Sequence, residues 1–434
     1  MKANCPALFI SGIASGQGKT TITAALARYH TNQGRHVRVF KTGPDYLDPK
    51  ILEIACGHPV EQLDLWMAGK AYCGEQLYLA AKEADLILVE GAMGLLDGDP
   101  SSADLAAMFG IPVAVVINAK GMAQTIAPLA YGLANYRKDF EFAGMIANNL
   151  GSERHADLIK EAIPDDIPIL ATLFRDERVV LPERHLGLVE PEDQDDLVQR
   201  LDAAAEWIAA SDLAKLPKPI EFEIHQTLSP EPLLKGKTIA IAKDGAFSFI
   251  YAVNIRLLES MGAELVYFSP LNDEAVPTAD AVWLPGGYPE LHVKKLSINS
   301  MAKASIEQHY LSGKPMLAEC GGMLYLQETL TNINGEPYPM TGLIPGHGAL
   351  KQKRGCQGMQ TAVLPEGDVR AHAHHRVRSE GTIEPIAHGR RQRHPAPGEA
   401  IYRSKGLTAS FLHLFFPSNP EAIAMIFNGE MIDA

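Results

Sequence analysis

Short β-branched and apolar runs alternate along the chain with longer stretches of helical periodicity. That alternation predicts a parallel α/β sheet whose strands are joined by crossing helices. In the first half the predicted strands are Leu8–Ser11, Val37–Lys41, Leu86–Glu90, Val113–Asn118 and Ala143–Asn148. Helices are predicted between them, among them Lys19–Thr31 and Ser102–Met108. The pattern lapses over Leu213–Lys237, where four prolines fall among mixed charges. This stretch is expected to link two domains. A second α/β pattern follows, with strands at Thr238–Ala242, Leu265–Phe268, Ala281–Leu284, Met316–Glu319 and Thr408–His413. The expected division is therefore 1–212, a linker over 213–237, and 238–434, with no internal repeat of solenoid period.

The totals narrow the function. The 434 residues carry 39 Lys+Arg against 52 Asp+Glu, a net charge of −13. An acidic surface opposes nucleic acid and anionic membrane, so neither is expected as a partner. Cys5, Cys56, Cys73, Cys320 and Cys356 are odd in number and form no CxxC pair, which fits a reduced, cytoplasmic setting. The apolar run Ala7 to Ala14 is short and leads into a glycine-rich loop, so a strand is expected there and not a signal peptide.

That loop, Gly12-Ile-Ala-Ser-Gly16-Gln-Gly18-Lys19-Thr20-Thr21, lies between a predicted strand and a predicted helix. Gly12, Gly16 and Gly18 let backbone N–H groups turn toward phosphate oxygens, and the helix N-terminus adds positive potential. Lys19 is expected to reach the β/γ-phosphates and the Thr20 hydroxyl to bind Mg²⁺. Nucleotide binding is thus assigned to Gly12, Gly16, Gly18, Lys19, Thr20 and Thr21. The first glycine stands one position earlier than in the common pattern. A loop of this length resembles that of dethiobiotin synthetase and the partitioning ATPases.

Two acidic stretches follow strand ends, where open α/β sheets build their sites. In Lys41-Thr-Gly-Pro-Asp45-Tyr46-Leu47-Asp48-Pro49, the acids either orient Mg²⁺, position a substrate carboxylate, or cap a solvated turn. In Glu90-Gly-Ala-Met-Gly94-Leu-Leu-Asp97-Gly98, Glu90 is placed to hold a metal. The metal set expected is Thr20, Asp45 and Glu90. Acids beside a phosphate loop point to phosphoryl transfer from ATP.

The second half carries a different chemistry. Leu317-Ala-Glu319-Cys320-Gly321-Gly322 is a strand ending in a sharp glycine turn, which resembles a nucleophile elbow. The N–H groups of Gly321 and of Gly286 and Gly287 in Leu284-Pro-Gly-Gly-Tyr288 are candidates for an oxyanion hole and glutamine contacts. His413, ending an apolar strand, is the expected base for Cys320. A class I amidotransferase usually has a glutamate two residues after this histidine; here Phe415 stands there, and what orients the ring is left open. His372, His374 and His375 are open between metal binding, substrate contact and no role, a solvated or substrate-facing loop being favoured over a metal. The basic run Gly389–Gly398 is expected to be a flexible, solvated loop.

The motifs together resemble those of the cobyrinate/hydrogenobyrinate a,c-diamide synthases over nearly the whole chain. The stretches Lys41–Pro49 and Glu90–Gly98 carry most of the likeness. The resemblance implies an N-terminal phosphate-loop domain and a C-terminal class I glutamine amidotransferase-like α/β domain. It implies ATP, glutamine and Mg²⁺, and a corrinoid substrate whose a and c acetates are amidated through an acyl phosphate. It further implies that Lys41, Asp45, Glu90 and Asp97 surround nucleotide, metal and substrate, that Tyr46, Leu47 and Asp48 face the corrinoid, and that Cys320 and His413 form the glutaminase pair. A related tetrapyrrole amidase and a partitioning-type ATPase are the rival readings, and a homodimer is left open. The family's Gly-His-Glu-Phe-His stretch is replaced here by Ala371-His-Ala-His-His375.

Overall fold

The computed structural model describes residues 1–184, 187–188, 194–224, 230–350 and 358–430. It divides into two units, Met1–Leu228 and Ser229–Ala434.

The first unit is built on a parallel sheet. Its central strand, Lys2–Gly12, is flanked by Leu86–Glu90 on one side and Val113–Asn118 on the other. The order continues outward through Val37–Lys41 on the first side and Phe142–Leu150 and Ile169–Phe174 on the second. Both faces are covered, which is why the strands read as near-continuous apolar runs. Ile10, Val39, Leu88 and Val116 pack under Ile22 and Leu26 of the helix Lys19–Asn32, while Phe9, Val89 and Val115 face the opposite layer. The helix Ser102–Phe109 starts on a capping box: Ser101 Oγ accepts from Asp104 N and the Asp104 carboxylate accepts from Ser101 N. A cap of this kind is worth about 1 kcal/mol.

The interval expected as a linker is not a free tether along its length. Pro219–Glu223 pairs antiparallel with the start of the central strand, Ala3 opposite Phe222 and Cys5 opposite Ile220. Phe222 and Ile224 are buried in the first unit's core. The pairing uses a sheet edge, where Pro219 opposite Pro6 costs no ladder bond that an interior strand would need. Residues 225–229 lie outside the described ones, as does Cys356.

The second unit holds a ten-stranded mixed sheet. Thr238–Ala242, Ala281–Leu284, Met316–Glu319 and Leu407–Ser410 run parallel at one end. Antiparallel strands then follow, ending with Gly367–Ala373 paired to Leu412–Leu414. The single strand expected over Thr408–His413 is two strands, Leu407–Ser410 and Leu412–Leu414, joined at Phe411. The break sends His413 to a different partner strand from Ser410. The basic run after Gly389 is also more ordered than expected. Ala387–Arg391 and Pro397–Ser404 form an antiparallel pair, and Arg390 Nη2 donates to Asp368 Oδ2 at 2.6 Å.

Candidate functional site

In the first unit the phosphate loop leaves the central strand at Gly12 and enters its helix at Lys19. Gly16 and Gly18 sit at φ +73° and +91°, in the left-handed region that L side chains avoid. A Cβ on Gly18 would run into the Asn148 amide. The loop is braced from neighbouring strands: Asn148 Nδ2 donates to Gln17 O at 2.9 Å, and Asn118 N donates to Gln17 Oε1 at 2.8 Å. Lys19 Nζ donates to Ala14 O at 2.9 Å and Met93 O at 2.7 Å, curled over the loop. Burial and then the Lys41 charge lower its pKa. Such a pocket favours an arriving polyanion. Thr21 is half-buried on the first turn of the helix.

The acids do not play equal parts. Thr20 Oγ1 donates to Glu90 Oε1 at 2.8 Å and to Asp48 Oδ2 at 3.1 Å. Lys41 Nζ lies 2.7 Å from Glu90 Oε1 and 3.0 Å from Asp48 Oδ2. Glu90 and Lys41 are register partners on adjacent parallel strands, so the sheet itself sets this contact. Burial works against the charge of Lys41, but Glu90 and Asp48 hold its ammonium above its ordinary pKa. Burial raises Glu90 despite Lys41. Glu90 is fully buried, and its Oε2 has no hydrogen-bond partner among the described residues.

Asp45 meets the Asp48 carboxyl side chain to side chain, one step from Thr20 and Glu90. Its Oδ1 accepts from Leu47 N at 3.0 Å and Asp48 N at 3.3 Å, which caps the helix Leu47–Cys56. The structure therefore joins Thr20 and Glu90 to Asp48, where the sequence pointed to Asp45. Burial, followed by the charge of Asp48, pushes Asp45 up to about 7. Tyr46 and Leu47 are buried. Asp97 is exposed and ties its own loop: Asp97 Oδ2 accepts from Gly94 N at 2.9 Å. Thr42, absent from the sequence assignment, joins the two acidic loops, its Oγ1 accepting from Ala92 N at 2.7 Å.

In the second unit Cys320 ends the strand Met316–Glu319 at φ +44°, a strained conformation for a side chain that is not glycine. Such strain costs about 1–3 kcal/mol and is held in place by its surroundings. The turn tolerates only small neighbours. A Cβ on Gly322 would overlap Leu284 O, and one on Gly321 would meet Gly287 N at 3.0 Å and Pro289 Cδ at 2.9 Å. A Cβ on Gly286 would overlap the His413 ring. Gly286 and Gly287 thus lie against both the elbow and the histidine. Cys320 and His413 are both buried, and the Gly286–Gly287 loop lies against the elbow of one and the ring of the other.

Two buried carboxylates that the sequence did not single out, Glu319 and Glu290, act on Cys320. Glu319 Oε1 accepts from Leu414 N at 2.7 Å, and its Oε2 accepts from Trp283 Nε1 at 3.0 Å. Burial pushes Glu319 up to about 8. Glu290 follows the Gly286–Gly287 loop, and burial pushes it up to about 7. Burial also raises the Cys320 thiol, with Glu290, Glu399 and Glu319 adding to it. His413 is held well below its ordinary pKa by burial, then by the neighbouring histidines. Phe415 is buried and packs edge-on against Tyr251.

The three further histidines are not on a solvated loop. His372 is the register partner of His413 and is buried, with burial lowering it to about 3. Its ring stacks on His374. His375 is buried between Glu399 Oε1 at 3.0 Å and Val377 O at 2.7 Å, and stacks on Phe411. Among the described residues, no group of three or more His, Cys, Asp or Glu forms a metal centre.

A phosphate-binding loop in one unit and a cysteine elbow with a buried histidine in the other define a nucleotide-dependent glutamine amidotransferase. Residues 8–189 match the CobQ/CobB/MinD/ParA nucleotide binding domain, and 238–421 match the CobB/CobQ-like glutamine amidotransferase domain. The hydrogenobyrinate a,c-diamide synthase of Pseudomonas aeruginosa is 49% identical over 425 residues, covering 98% of each chain. The cobyrinate a,c-diamide synthase of Herminiimonas arsenicoxydans is 47% identical over 428 residues, covering 98% of this chain and 97% of its own. The chain belongs to the cobyrinate/hydrogenobyrinate a,c-diamide synthase family and is a carbon–nitrogen ligase with glutamine as amido donor. No helix among the described residues is long and apolar enough to cross a membrane.

Proposed function

We propose that the protein converts the a and c acetate carboxylates of cobyrinic or hydrogenobyrinic acid to amides, spending ATP and glutamine. The observation that carries this is the meeting of Thr20, Asp48, Glu90 and Lys41 beside the phosphate loop. The Asp48 and Glu90 carboxylates and the Thr20 hydroxyl form an all-oxygen set, in which Glu90 Oε2 has no hydrogen-bond partner among the described residues, and such a set suits Mg²⁺ completed by nucleotide phosphates. When bound, the ion would neutralise phosphate charge. Asp48 takes the place given earlier to Asp45 in that set, while Asp45 supports it through the helix start.

A carboxylate repels nucleophiles, so it first needs a leaving group. Its oxygen attacks the γ-phosphorus of ATP, ADP departs, and an acyl phosphate forms. Lys19 and Lys41 supply positive charge to the phosphates and the carboxylate. In the glutaminase unit His413 takes the Cys320 proton, and the thiolate attacks the glutamine side-chain carbonyl. The N–H groups of Gly287 and Gly321 stabilise the oxyanion. His413 returns the proton to the leaving nitrogen, ammonia departs, and water releases glutamate from the thioester. The ammonia displaces phosphate from the acyl phosphate and gives the amide. Both cosubstrates suit a cytoplasmic enzyme.

The test uses the full chain with ATP, Mg²⁺ and amide-¹⁵N-glutamine. Mass spectrometry follows cobyrinic and hydrogenobyrinic acid in parallel. Two labelled amides in either product are expected. No amide in either acid, with glutamine or with ammonium, would reject the reading. Amidation of more than two carboxylates would point to a related tetrapyrrole amidase.

A further inference from the structure

The pocket around Cys320 contains a carboxylate whose position works against the chemistry of the thiol. Glu290 lies in the short turn Pro289–Leu291, directly after the Gly286–Gly287 loop. Pro289, its neighbour, closes on Gly321, so the turn is wedged against the elbow. Glu290 is only 6% exposed. Among the described residues no lysine, arginine or side-chain hydrogen bond meets its carboxylate. The basic group that acts on it is His375, which is already engaged by Glu399 and by Val377 O.

A negative charge here opposes formation of the thiolate that must attack glutamine. Buried charges are held by partners, and among the described residues this one meets only its own backbone N–H and the imidazole of His375, with no ion-pairing lysine or arginine. The missing partner is a cation that arrives with the substrate. An amide substrate that carries a positive group beyond its reacting end meets this demand, and glutamine has one in its α-ammonium. Glu399 is a poorer acceptor, because His375 Nε2 already occupies its Oε1 at 3.0 Å.

We infer that Glu290 receives the α-ammonium group of glutamine and thereby selects glutamine over amides that lack it. The inference rests on Cys320 being the glutaminase nucleophile. It adds a consequence: the docked ammonium offsets the charge set against the thiol, so the thiolate forms most readily when the correct substrate is in place.

The test compares L-glutamine with glutaramate, which keeps the side-chain amide and the carboxylate but lacks the amine. Ammonia release is measured with the full chain, and kcat/KM is taken for each amide. Wild type is expected to prefer glutamine by about 100-fold or more, since a site built for a polar group rejects its absence strongly. Glu290→Gln is expected to lower glutamine kcat/KM by about 100-fold, mainly through KM, and to bring the two amides within about threefold of each other. Glu290→Asp should regain part of the preference. Equal turnover of both amides by wild type would overturn the inference, and that needs no variant to fold. So would a Glu290→Gln protein that keeps the wild-type ratio, including one that loses both activities in proportion. Cys320→Ser separates the two claims: persistent glutamine hydrolysis there would reject the nucleophile and not the ammonium site.

Discussion

Glu319 Oε1 accepts the backbone N–H of Leu414 at 2.7 Å, so the residue before the nucleophile is bonded to the residue after the histidine. The strand that leads to Cys320 and the strand that carries His413 are not neighbours in the sheet order. Glu319 closes that gap, and Trp283 Nε1 fixes its other oxygen. Removing the side chain leaves two buried N–H donors, each costing about 1–3 kcal/mol. It also frees the histidine strand to shift against the elbow. Glu319→Ala is therefore expected to lower glutamine-dependent synthesis by about 100-fold while ammonium still supports product. Glu319→Gln, which retains one acceptor oxygen, should fall less. Parallel assays with glutamine and with ammonium chloride check this; an equal loss with both donors would rule out a local role.

Gly286 offers a second test of the same geometry. Its missing Cβ is the space that the His413 ring fills. Gly286→Ala must push the imidazole away from the nucleophile. Glutaminase turnover is expected to drop by at least about 100-fold, because a misplaced base loses its line to the thiol. The folded glutaminase unit should survive, as judged by its urea transition. Full turnover in this variant would remove His413 from the mechanism.

The acids of the first unit make a finer distinction. Asp48 and Glu90 share Thr20 and Lys41, while Asp45 caps a helix. Asp48→Asn is expected to raise the Mg²⁺ concentration for half-maximal synthesis by about tenfold or more. Asp45→Asn keeps an acceptor oxygen for the cap and should shift it much less. A Mg²⁺ titration of both variants decides which acid faces the ion; the reverse order would return the role to Asp45.

Much of this was legible in the sequence because glycines report backbone geometry. Gly16 and Gly18 stand where φ is positive, and Gly321, Gly322 and Gly286 stand where another atom fills the Cβ position. Glu90 was visible as an acid at a strand end; its pairing with Lys41, the last residue of the neighbouring strand, was not. The choice between Asp45 and Asp48 was not visible. Both flank a helix start, and only the start itself decides which becomes the cap. The signal was present in the Asp-x-x-Asp spacing before Pro49, which is that of an N-terminal cap. Glu319 was hidden because its partner is a backbone N–H 95 positions away, contributed by the break at Phe411. The pairing of Pro219–Glu223 was masked by prolines, which an edge strand accepts and a central strand does not.

Lys19 separates the two reactions. Its ammonium is curled over the phosphate loop of the first unit, whereas Cys320 and His413 belong to the second. Lys19→Ala is expected to lower synthesis by about 100- to 1,000-fold from either nitrogen donor. Glutamine hydrolysis should continue at a measurable rate, because Cys320 and His413 are untouched. Undiminished synthesis would remove the phosphate loop from the reaction.

The buried glutamates give the second unit a pH dependence of stability with a definite sign. Glu319 is raised to about 8 from an ordinary value of 4.5, so the folded state keeps a proton that the unfolded chain releases. Where the folded state binds more protons, stability falls as pH rises. The loss therefore accrues between about pH 4.5 and 8, and Glu290, raised to about 7, adds to it over the lower part of that window. Glu319→Gln cannot ionise and should flatten the slope. Urea midpoints of the glutaminase unit at pH 5, 6.5 and 8 measure this, read from Trp283 fluorescence with Trp66 and Trp207 changed to Phe. Wild type is expected to lose more of its midpoint across the series than Glu319→Gln. Parallel slopes would mean that Glu319 is ionised in the folded protein, and that its bonds to Leu414 and Trp283 outweigh the cost of burial.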